Sequence, residues 1–177
     1  QSGENYHYER GKLEDGSYLI AGEYKPTFWT KASDGTWHMG KTKEDIKNAK
    51  YCEKASMSAK GIINKNAKDD SVTKPSNQRL EIVPLENPAN FKVGVPFKVK
   101  ILFEGKPLES ATLNGTFDGF LKEKSAFHGE TEPDGTIEVL ALKPGKWLLQ
   151  VVHKMPFADS KICDDETIAA TLAFELK

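Results

Sequence analysis

Apolar and polar positions alternate through the second half of the chain. In PFKVKILF, Phe97, Val99, Ile101 and Phe103 are interleaved with Lys98 and Lys100, a period of two that predicts a strand with one wet face. RLEIVPL (Arg79 to Leu85) repeats the pattern, with Leu80, Ile82 and Leu85 on the side expected to be buried. TIEVLAL (Thr136 to Leu142) and IAATLAFEL (Ile168 to Leu176) alternate too, ATLNGTF (Ala111 to Phe117) is a further strand, and KWLLQVVH (Lys146 to His153) is nearly continuous. Turn residues punctuate the runs at Glu104-Gly105-Lys106-Pro107, Pro133-Asp134-Gly135 and Pro144-Gly145, where Pro presets φ and Gly accepts positive φ. About six or seven short strands at roughly ten-residue spacing predict an all-β sandwich of immunoglobulin-like or transthyretin-like type. Its expected core includes Phe97, Val99, Ile101, Ile137, Val139, Leu149, Val151, Leu172 and Phe174.

The first segment, residues 1–65, reads as smaller and mainly β. GSYLIAGEYK (Gly16 to Lys25) is a strand candidate, and Asp34-Gly35 predicts a hairpin between FWTK and TWHM. Thr42 to Lys50 is the best helix: Thr42 can cap it, and Glu44 and Asp45 would lie in its first turn. Ala55 to Asn64 is a further strand candidate. Between the segments, residues 66–78 (NAKDDSVTKPSNQ) are polar and aperiodic, the signature of a linker. Residues 79–177 then form the sandwich.

Charge narrows the possible partners. The 25 basic and 26 acidic residues nearly cancel, and arginine occurs only at Arg10 and Arg79. A nucleic-acid partner, which needs a basic face and favours Arg, is not expected. Nor is a membrane span, because no apolar run approaches the ~20 residues required. The chain begins at Gln1, as after removal of an export leader or in a chain lacking its first residues. Cys52 and Cys163 are either two unrelated buried thiols or, in an exported protein, one disulfide. The disulfide would tie the two segments together and places the protein in the periplasm or outside the cell.

Four histidines, His7, His38, His128 and His153, are the natural metal candidates, since imidazole suits nickel, cobalt, copper and zinc. No two stand at a ligand spacing, so the fold would have to assemble a site. His153 ends an apolar strand and precedes the acidic positions Asp159, Asp164, Asp165 and Glu166, whose carboxylates could complete a divalent site. His38 lies between Trp37 and Met39. Tyr24, Phe28, Trp29 and Trp37 could form a binding patch, although core packing explains them more simply. No G-x-S-x-G, HExxH or phosphate-cradling loop is present, so an enzyme is not expected.

Several of these motifs occur together elsewhere. LEIVPLENP (Leu80 to Pro88), the G-K-P-L turn at Gly105 to Leu108, Asp134-Gly135, the strand with Gly145, Trp147 and His153, Cys163-Asp164, and Ala169-Ala170-Thr171-Leu172 resemble, in this order, a bacterial periplasmic family. So do GSYLIAGEYKPTFWTK and Lys47 to Cys52. That family is described as the periplasmic component of cobalt or nickel transport systems. The resemblance implies an accessory binding protein that captures nickel or cobalt through imidazole and carboxylate groups, drawn from His153, His128, His38, Asp159 and Asp164, beside membrane transporter components. The alternative is a structural or adhesive sandwich subunit of a surface assembly, self-associating through a sheet edge.

Overall fold

The computed structural model describes residues 11–120 and 124–177. Its strands are β1 (Gly16–Ala32), β2 (Trp37–Met39), β3 (Ala49–Lys65), β4 (Leu80–Pro84), β5 (Phe97–Phe103), β6 (Lys106–Pro107), β7 (Thr112–Phe117), β8 (Phe127–Glu130), β9 (Thr136–Val139), β10 (Gly145–Pro156) and β11 (Asp165–Leu176). Seven of them form one sheet in the order β2-β1-β3-β11-β10-β7-β8. The second sheet is built on β5, with β4 on one side and β6 and β9 along the other. The chain is therefore an all-β sandwich, as its alternation predicts.

The nine core positions expected from the pattern are all buried. They interdigitate between the sheets with Leu80, Ile82, Leu113, Trp147, Ile168 and Leu176. Phe91, Phe97 and Phe174 form an aromatic knot, with Phe91 stacked on Phe97 at 3.8 Å and Phe174 edge-on to both. β4 departs from simple alternation because both of its faces are covered. Glu81 thus lies buried against Lys60 of β3 and accepts from the Ser76 amide and hydroxyl at 2.8 and 3.0 Å. Leu85, expected inside, is exposed: β4 ends at Pro84, one residue earlier.

The first segment forms a long hairpin. β1 and β3 pair antiparallel from Gly16↔Lys65 to Ala32↔Ala49, with a register shift at Tyr24/Thr27, where Pro26 cannot donate. β1 turns at Asp34-Gly35 into β2 as expected, Gly35 holding a φ of 91°. The helix expected over Thr42 to Lys50 does not form. Residues 43–48 make turns instead, and Ala49 and Lys50 open β3: Asp45 Oδ2 accepts from the Thr42 amide and hydroxyl, and Asn48 has a φ of 64°. Nine residues are too few for a stable isolated helix. Lys43 is meanwhile drawn away to bond Asp164 at 2.7 Å and the Ser160 carbonyl at 3.1 Å. β3 also pairs in parallel with β11, from Glu53↔Asp165 to Gly61↔Ala173, so the hairpin and the sandwich share one sheet. The polar stretch 66–78 is packed down, with Val72 and Gln78 buried and the Gln78 amide donating to the Gly22 carbonyl at 3.0 Å.

Cys52 and Cys163 are joined in a disulfide that closes a loop of 111 residues. The bond sits where the parallel pairing begins. Beside it, Asp164 Oδ2 accepts from the Cys52 amide at 2.8 Å, and the Asp164 amide donates to the Cys52 carbonyl at 3.1 Å. Among the described residues no helix is long and apolar enough to cross a membrane.

Candidate functional site

The structure scatters the candidate metal ligands. His38 on β2 and His128 on β8 occupy opposite edges of the large sheet, about 29 Å apart at six strand spacings. Register also puts them on opposite faces: His128 shares a face with Asn114 and Gln150, whereas His38 pairs with buried Thr30. His128 Nδ1 lies 2.9 Å from Asn114 Oδ1. His153, on β10, rests against the Phe103 ring at 4.8 Å. Asp159 accepts from the Lys161 amide at 2.9 Å in its loop. Both Asp164 oxygens are spent, on Lys43 and on the Cys52 amide. Among the described residues no three His, Cys, Asp or Glu side chains gather as a metal site. His7 lies outside the described residues.

Around His153 the fold builds an ion network instead. Arg79 lies over Phe103 at 5.4 Å and pairs with Glu104 at 3.0 Å and with Glu166 at 2.8 Å, and Lys54 reaches Glu166 at 3.0 Å. On the opposite face Lys154 bonds Asp165 at 2.9 Å and the Tyr51 hydroxyl at 3.0 Å. The Arg79 hydrogen bonds hold the Glu166 carboxyl below its ordinary 4.5, outweighing the burial that opposes them. A depressed carboxylate stabilises the fold above its unfolded pKa, and that stability is lost as pH falls through the folded value. Unfolding midpoints in urea should therefore fall as pH drops below about 4.5, and Glu166→Gln should flatten the decline.

The aromatic group divides. Phe28 packs edge-on against Phe157 at 5.8 Å, whereas Tyr24 and Trp37 are exposed on the outer face of the large sheet.

A large concavity lies where β3 and β11 part. Their pairing stops at Gly61↔Ala173, and beyond it each strand follows its own neighbour. Ile62 to Lys65 stay on β1, while Asp69 accepts from the Ser17 amide at 3.1 Å and buried Asn87 donates to the Asp69 carbonyl at 2.6 Å and to the Ser17 hydroxyl at 2.9 Å. Phe174 to Leu176 stay on β10, pulled inward by the Phe91–Phe97 stack. A cleft of about 1050 Å³ opens between them. Ile62, Ile63 and Asn64 form one wall and Ala173, Phe174 and Glu175 the other. Buried Trp147 and Pro88 and exposed Lys68 and Lys146 also line it. Asn64 Oδ1 is shielded from solvent and has no hydrogen-bond partner among the described residues. The Trp147 side also borders a second hollow of about 740 Å³, toward Phe117 and Phe120.

Residues 1–155 match the sequence profile of a family described as a domain of unknown function, DUF4198. The chain belongs to this family. No curated protein and no solved structure matches it. The matched span of this DUF4198 chain contains the β3 wall of the cleft, Pro88, Lys146 and Trp147, while the β11 wall lies beyond it.

Sequence reasoning missed the cleft. Its walls stand far apart along the chain and meet only through the parallel pairing of β3 with β11. One local signal was present: Gly61, a lone glycine inside a strand pattern, which often marks a break in regular pairing.

Proposed function

We propose that the protein is a non-enzymatic binding protein of an oxidising compartment outside the cytoplasm, and that the cleft between β3 and β11 is its ligand seat. The observation that carries this reading is the cleft itself: a mostly apolar lining with exposed lysines beside it, between two strands that part. Sites with mostly apolar walls and a few placed polar groups are the usual seats of ligands. The Cys52–Cys163 disulfide supports the compartment, because such bonds persist where the surroundings oxidise. Anilinonaphthalene sulfonate, an apolar anion, tests the seat. Its fluorescence should rise on binding the native protein, and Ala173→Trp, which fills the cleft from an accessible position, should abolish most of that rise while leaving the melting temperature near the native one. An undiminished signal in the variant would remove the cleft from the reading.

Capture of nickel or cobalt beside membrane transporter components is a second reading, resting on the family resemblance. It would need ligands beyond those the described residues bring together. Elemental analysis of untagged protein decides it, since a stoichiometric metal would place the function elsewhere than in the cleft.

A further inference from the structure

We infer that the cleft takes an extended acidic polypeptide segment by strand addition, the added main chain pairing with the open strand edges and its carboxylates meeting Lys68 and Lys146. This deepens the proposal that the cleft is the ligand seat and rests on it.

Three observations point to an acidic strand. Ile62 to Lys65 pair only with β1, and Phe174 to Leu176 only with β10, so each strand turns a row of backbone groups toward the cleft. Such rows are templates for another strand. In β-augmentation they supply affinity, while pockets for alternate side chains supply selectivity. The second observation is the apolar lining: exposed Ile20 and Ile63 offer a surface on which side chains of an incoming strand would rest. The third is charge. Lys68 and Lys146 line the cleft beside one side-chain carboxylate, Glu175, and complementary charge favours an acidic partner over a basic one.

The open edges also choose between a peptide and a fatty acid, both of which would suit an apolar lining with lysines beside it. Unpaired main-chain N–H and C=O groups call for donors and acceptors in alternation. A carboxylate on an acyl chain has no donor to give them, whereas a peptide offers an N–H and a C=O at every residue.

The test uses the intact, disulfide-bonded protein and a fluorescein-labelled hexapeptide alternating valine with aspartate. Saturable binding by anisotropy is expected, with amide chemical-shift changes centred on residues 61–65 and 173–176. Reversing charge in K68E/K146E, two exposed positions, should weaken binding about tenfold or more, equivalent to ~1.4 kcal/mol, without lowering the melting temperature. Methylating every peptide nitrogen should abolish binding. Equal binding of the methylated peptide, or of one alternating valine with lysine, overturns strand addition. If dodecanoate shifts the cleft amides and the peptide does not, strand addition is refuted and the cleft survives as a ligand seat. If neither shifts them, both proposals fall.

Discussion

Replacing both cysteines, in C52S/C163A, is expected to cost about 3–5 kcal/mol of unfolding free energy in guanidinium. The chain-entropy model gives ~4.7 kcal/mol for a loop of roughly 100 residues, and this loop spans 111. Native strain subtracts from that figure. The loss is a large fraction of the ~5–15 kcal/mol that holds a typical domain together. It should also be local in its first effects. The disulfide and the paired amides of Cys52 and Asp164 start the parallel register, so amide exchange at Glu53 to Ala55 should accelerate before exchange in the β4–β5 core. A pair variant as stable as the native protein would mean that the register is set by the hairpin alone.

The second large effect is expected at Lys60. Its ammonium is buried and paired with buried Glu81. Burial pulls the Lys60 pKa below its ordinary value despite the ion pair. Burial alone would raise Glu81, but Lys60 and Ser76 hold it low, so the carboxylate stays charged. Lys60→Met strips that charge of its counterion and should cost about 3–5 kcal/mol, the usual result of breaking a buried pair. The double variant K60M/E81L removes the charge as well, at the expense of the Ser76 hydrogen bonds, and should lose less than K60M alone. Urea unfolding of the three proteins checks the order. If K60M/E81L falls further than K60M, Glu81 stabilises the fold even without its counterion, through Ser76.

Both predictions concern contacts far apart in sequence, and this distance separates what could be read from the chain from what could not. Alternation at Phe97 to Ile101 and at Ile137 to Val139 is a local consequence of one buried face, so it reported the strands and the core directly. Asp34-Gly35 and Asp134-Gly135 likewise carried their turns. Compartment reasoning offered the disulfide beside a pair of unrelated buried thiols, and the bond is the alternative that forms. Local reasoning failed at Thr42 to Lys50, where helix-like residues answer to Lys43's tertiary partners. It failed at Glu81 too, a polar residue on a strand covered from both sides. The histidines were read as chemistry by residue type alone. Their separation follows from strand order, which periodicity does not encode. The cleft is invisible for the same reason: it exists because two strands diverge from each other, and each strand looks ordinary by itself.

The parallel seam between β3 and β11 has a consequence for how the molecule is made. β3 ends at Lys65 and β11 begins at Asp165, so the hairpin emerges from the ribosome about a hundred residues before the strand that covers its edge, roughly 5–20 seconds at ordinary synthesis rates. During that interval the edge of β3 is open to any passing strand, and contacts this remote close slowly. The lysines along it, at Lys50, Lys54, Lys60 and Lys65, are the kind of residue that discourages chance pairing at an exposed edge. The nascent hairpin is thus protected by its charge until the last strand arrives to cover Glu53 to Gly61.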